Sequence, residues 1–146
     1  MTELRKLQTR KLNENTLISE SMPEHELALE IGLPKMIALA IPEMQMRIML
    51  QVTGDILVGR SFEENETGDY LDLRQFGAED LGVSRKHLRL WSENGELFVE
   101  DLASTNGTSV NGVRLIARTP RKIRHADQIM LGKLELKVQF VYDLLS

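Results

Sequence analysis

Two short apolar runs, residues 88–91 and 97–99, are joined through Asn94-Gly95, and no other stretch of the chain limits the fold as tightly. Asparagine and glycine both tolerate a positive φ, the backbone state that a two-residue hairpin turn demands at its central positions. The same punctuation recurs. Gly54-Asp55 lies between residues 47–52 and 56–58, which predicts a second hairpin, and Gly132-Lys133 turns residues 129–131 into the run that starts at Leu134. In that run Leu134, Leu136, Val138 and Phe140 alternate with Glu135, Lys137 and Gln139. A period of two places apolar side chains on one face of a half-buried strand. Many short strands with turn signals between them and no helical stretch among them predict an all-β, two-sheet β-sandwich.

The strand-turn pattern begins at Met44, so residues 44–146 read as one β domain and residues 1–43 as an N-terminal extension, partly ordered or helical. Within the extension Leu4, Leu7 and Leu12 form a weak helical face, and Ser21-Met22-Pro23-Glu24 has the spacing of a helix start with proline near the first turn. Gly32 and Pro34 would end that helix soon after it began. No internal repeat is evident.

With 42% hydrophobic and 27% charged residues among 146, the chain can build one core and an appendage. Net charge is −4 and the lysines and arginines read as scattered, so nucleic acid is not an expected partner. The absence of cysteine excludes disulfides and thiolate chemistry, and His25, His87 and His125 lie far apart in sequence. No metal and no cofactor are therefore expected. The first residues lack the apolar run of a signal peptide, and the most apolar run, residues 36–41, stops at Pro42, far short of a membrane span. A cytoplasmic location without membrane association is the expectation.

Four short words follow the predicted strands: Gly59-Arg60, Ser84-Arg85-Lys86-His87, Ser104-Thr105-Asn106-Gly107-Thr108 and Asn111-Gly112. Arg60 has a permanently charged guanidinium able to offer two parallel N–H donors to a phosphate, and Gly59 before it permits a sharp turn. Ser84 offers a hydroxyl and Arg85 a backbone N–H. A fixed cation with convergent donors suits a phosphate group, so the four words read as a phosphate-reading loop cluster.

In this order and spacing the four words resemble the forkhead-associated (FHA) domain, a phosphothreonine-peptide binding module, over roughly residues 44–142. The resemblance implies a sandwich of about eleven strands with its binding loops gathered at one end. It also implies that Arg60, Ser84, Arg85 and Thr105 meet the phosphate, with the Thr105 N–H as a further donor, while Asn106 grips the peptide backbone. Gly59, His87, Gly107 and Asn111 take supporting roles, His87 as a buttress that holds Ser84 in place. The partner so implied is a threonine-phosphorylated protein or peptide, with a Ser/Thr kinase as the writer of the mark, and the chain is not an enzyme.

Two features depart from the family pattern. The residue two positions before the motif serine often helps to read the third residue after the phosphothreonine, and here it is Gly82, which has no side chain. The loop of residues 74–82 contains Phe76, Glu79 and Asp80, and another nearby holds Glu63-Glu64-Asn65-Glu66; acidic loops at a site's rim favour basic target residues. Val83 or Val110 is expected to line a small pocket for the threonine methyl group.

Other readings exist. Ser84 with His87 suggests a hydrolase, yet there is no Gly-x-Ser-x-Gly elbow and nothing marks an orienting acid. A structural or assembly subunit could use the same fold for phospho-independent contacts. Finally, Thr16 in the extension, once phosphorylated, could reach the domain's own site on its tether and close it.

Overall fold

Apolar residues two apart dictate the strands. In the computed structural model, which describes Pro34 and residues 36–60 and 68–142, the chain runs through β1 (Met36–Ile41), β2 (Met46–Gln51), β3 (Ile56–Gly59), β4 (Asp69–Asp72), β5 (Leu88–Glu93) and β6 (Glu96–Asp101). It continues through β7 (Thr108–Val110), β8 (Val113–Arg114), β9 (Arg121–Ile123), β10 (Gln128–Leu131) and β11 (Leu134–Val141). Six strands form one sheet in the order β2-β1-β11-β10-β7-β8, and five form the other in the order β4-β3-β5-β6-β9. The predicted two-sheet sandwich is the fold observed.

The core is the sum of the alternations. Ile37, Leu39 and Ile41 of β1, with Leu134, Leu136, Val138 and Phe140 of β11, are buried from one sheet; Ile56, Val58, Leu88, Leu90, Leu97 and Val99 are buried from the other. Each such side chain contributes about 1.5–3 kcal/mol through its burial. Register keeps these rows in phase, for β1 and β11 run antiparallel with Ile37 opposite Phe140 and Leu39 opposite Val138. A slip of one residue would turn both rows to the wrong face.

Two expectations need correction. The domain begins before Met44: β1 lies inside the stretch assigned to the extension, and it sits between β2 and β11 in its sheet. Residues 36–41 include no polar residue, so the alternation that marks a strand in sequence is not visible there. The helix start at Ser21 lies outside the described residues.

The predicted hairpin across Gly54-Asp55 is also absent. β2 pairs with β1, whereas β3 pairs with β4 in parallel and with β5 antiparallel, so residues 52–55 carry the chain from one sheet to the other. Neither Gly54 nor Asp55 takes the positive φ that a tight hairpin requires. Asn94 and Gly95, at φ 54° and 77°, do take it and join β5 to β6; Asn111 and Gly112, at 51° and 83°, join β7 to β8.

Candidate functional site

Where β3 ends, the chain meets the segment that leads into β5. A Cβ on Gly59 would lie 1.8 Å from the Arg85 carbonyl oxygen, so only glycine allows this approach. The Arg60 N–H donates to the carbonyls of Ser84 and Arg85 at 3.3 and 3.2 Å. Its side chain is fixed as well: Nε donates to the Val83 carbonyl at 2.7 Å, which leaves both terminal nitrogens of the half-buried guanidinium without a partner among the described residues. A cation held by its own stem with its fork free is suited to grip an anion.

His87 organises the next segment. It is fully buried. Its Nδ1 accepts the Ser84 N–H at 2.9 Å, so the ring proton sits on Nε2, which donates to the Gly107 carbonyl at 3.0 Å. Burial pushes the His87 pKa below 6.5, and the Gly107 carbonyl and the Asp101 carboxylate oppose this without reversing it. One neutral imidazole thus ties the Ser84 segment to the loop after β6. With that tautomer Nδ1 is not available as a general base for Ser84, which removes the geometry of a serine hydrolase.

The loop between β6 and β7, residues 102–107, is closed by Asp101. This nearly buried carboxylate accepts the Ser104 hydroxyl at 2.5 Å, the Thr108 hydroxyl at 2.6 Å and the Ser104 N–H at 3.1 Å. Burial works to raise its pKa, but the bonds from Ser104 and Thr108, together with His87, outweigh that and hold it below 3.8. Ser104 Oγ in turn accepts the Gly107 N–H at 2.9 Å.

From this loop the Thr105 N–H donates to Ser84 Oγ at 3.0 Å. That amide is therefore engaged rather than free, and the Ser84 hydroxyl, with a lone pair occupied, keeps its proton to donate outward. The Asn106 Nδ2 donates to the Gly82 carbonyl at 2.9 Å, which leaves its oxygen and its second N–H. The N–H of exposed Arg85 has no partner among the described residues. Arg60, Ser84, Arg85, Thr105 and Asn106 are thus brought together by one hydrogen-bonded set of loops, and Gly59, His87 and Gly107 hold them.

Asn111 stands apart. It bonds Asp127 and the Gln128 backbone, at the opposite end of β7 from Gly107. Val83 and Val110 are 2% and 0% exposed, members of the core, and neither reaches the surface to line a methyl pocket. Phe76 is buried too, and the Glu63–Glu66 run lies outside the described residues. Among the described residues no group of acidic, histidine and cysteine side chains could hold a metal ion, and no helix is long and apolar enough to cross a membrane.

Beside Asn106 lies an open pocket of about 450 Å³, lined by Asp80, Leu81, Gly82, Asn106, Gly132 and Lys133. Gly82 has a structural reason beyond its missing side chain: its φ is 81°, and a Cβ there would fall 2.6 Å from the Asn106 amide nitrogen. Lys133 comes from the turn between β10 and β11, whose N–H donates to the Leu81 carbonyl at 2.8 Å. Neither Lys133 nor the closing role of Asp101 was legible in sequence, since both depend on contacts between distant loops.

The sequence model of the FHA domain matches residues 56–132, just over half of the chain. The chain belongs to the FHA domain family. An FHA domain-containing protein of Arabidopsis thaliana is 36% identical over 89 residues, covering 60% of this chain and 21% of that protein. The chain spans 21% to 25% of the lengths of the curated relatives it matches. Among solved structures, the FHA domain of an Arabidopsis thaliana hypothetical protein matches at a TM-score of 0.60 and 29% identity, over 77% of this chain and 92% of that one. A structure from a study of phosphothreonine-dependent FHA domain interactions matches at 0.55 and 26%, over 74% of this chain and 99% of that one. FHA domains are interaction modules rather than enzymes, and the loops described above lie within the matched span or border it.

Proposed function

We propose that this FHA domain binds threonine-phosphorylated peptides and so docks a phosphorylated protein. The observation that carries this reading is the convergence at one edge of the sandwich of the Arg60 fork, the Ser84 hydroxyl and the exposed Thr105, on loops fixed by a buried neutral histidine. Arg60 supplies the charge that complements the phosphate. Ser84, the Arg85 N–H and Thr105 donate to its oxygens, and Asn106 holds the peptide backbone. The pocket bounded by Asp80 and Lys133 receives residues after the phosphothreonine. A Ser/Thr kinase writes the mark, and phosphorylation of Thr16 would let the chain's own extension compete for the site; Thr16 lies outside the described residues.

The test is a titration with one peptide in phosphothreonine, phosphoserine and unphosphorylated forms. The phosphothreonine form binds best and the unphosphorylated form not at all. Arg60→Ala lowers the affinity at least about thirtyfold, because removing one member of a desolvated charge pair costs about 2–5 kcal/mol. Binding of that variant within threefold of the unaltered protein would refute the assignment.

A further inference from the structure

Between Leu102 and Ala126 the sequence contains no acidic residue and five basic ones, Arg114, Arg118, Arg121, Lys122 and Arg124. In a chain of net charge −4 this is a local reversal of sign. Lys122 is neutralised by Glu96 at 2.6 Å. Arg114 and Arg118 are exposed, and neither side chain has a hydrogen-bond or ion-pair partner among the described residues.

The fold brings these two to the roots of the loop that holds Thr105 and Asn106. Arg114 reaches back from β8 so that its guanidinium lies against Gly107: a Cβ built on that glycine would be 2.3–2.4 Å from Nε, Cζ and Nη2. Arg118 is fixed at the loop's other root, where its N–H donates to the Asp101 carbonyl at 2.8 Å. Asp101 and Thr108 close that loop at 2.6 Å, so its two roots lie side by side, with the Arg114 guanidinium against Gly107 beside one and the Arg118 backbone bonded to the other. Val113 and Ile116, 59% and 75% exposed, flank Arg114. Glu79 and Asp80 belong to the segment before Ser84, and Asp80 lines the pocket beside Asn106.

We propose that Arg114 and Arg118 form a cationic ledge beside the phosphothreonine site that selects partners with acidic residues on one flank of the phosphothreonine. This rests on the phosphothreonine reading and adds to it a partner class: an acidic phosphopeptide. The physical basis is charge complementarity at a rim, where a carboxylate meets a guanidinium already ordered against backbone, and the exposed apolar pair offers the peptide's neighbouring side chains a surface.

The experiment compares three phosphothreonine peptides, with neutral flanks, glutamates before the phosphothreonine and glutamates after it, against the unaltered protein and Arg114→Gln/Arg118→Gln. One acid-flanked peptide binds the unaltered protein about three- to tenfold more tightly than the neutral one, the range expected for two exposed ion pairs, and the gain shrinks as salt rises. The double variant loses that gain while its affinity for the neutral peptide stays within twofold and its melting temperature is unchanged. No acidic preference on either flank, or a preference that survives the double substitution, overturns the ledge and leaves the phosphate site standing. Failure of every phosphopeptide to bind the unaltered protein overturns both. Tighter binding of a duplex DNA probe than of any peptide, lost in the double variant, would assign the arginines to nucleic acid and overturn the proposal.

Discussion

At the scale of single residues, the shape of the site depends on how completely the polar groups around it are satisfied. His87 gives a signed prediction. Its folded pKa lies below 6.5 because burial disfavours the imidazolium, so its contribution to stability is fully present above 6.5 and is lost as pH falls toward the folded value, where only the unfolded chain takes up the proton. Protonation would also convert Nδ1 from acceptor to donor and break the Ser84 bond. The melting temperature of the peptide-free protein should therefore fall between pH of about 7.5 and 5.5, while His87→Gln, less stable throughout, shows a flatter profile. Parallel profiles would mean that His87 does not control this window. Gly59→Ala should be among the most damaging single changes near the site: its new methyl group meets the Arg85 carbonyl oxygen at 1.8 Å, and both are backbone-borne. Loss of folded protein or a large drop in melting temperature is expected; a variant as stable as its parent would show that the Arg85 segment can withdraw at no cost.

Among the elements, β1 carries the most consequence for its length, because β2 and β11 both pair with it. A chain that starts at Met44, the boundary the sequence pattern suggests, should fail to unfold cooperatively, whereas one that starts at Pro34 should do so; equal behaviour in thermal melts would contradict the strand's place in the sheet. The β5–β6 and β10–β11 hairpins were legible because turn chemistry and alternation are local. Where structure depends on distant partners the sequence said less. β1 has no alternating pattern to announce it, and Gly54-Asp55 specifies a bend without specifying which strands the bend joins. The same distinction separates the site residues. Arg60, Ser84, Thr105 and Asn106 stand in recognisable words, but the bonds that engage the Thr105 amide and the Asn106 side chain, the Asp101 closure, and the burial of Val83 and Val110 follow only from how the loops meet.

Across the whole molecule, the sandwich is a mount whose loops converge at one edge, with acidic residues in the segment before Ser84 and, after the β6–β7 loop, the exposed Arg114 and Arg118, which have no side-chain partner among the described residues. That division of charge is invisible in the net value of −4. This loop cluster, and not a sheet face, is the surface proposed to meet a phosphorylated partner. Backbone amide shifts followed by NMR during titration with a phosphothreonine peptide test it most directly. The largest changes are expected at Arg60, Ser84, Arg85, Thr105 and Asn106 and are absent with the unphosphorylated peptide, while changes centred on β1 and β2, or independent of the phosphate, would contradict docking at the loops.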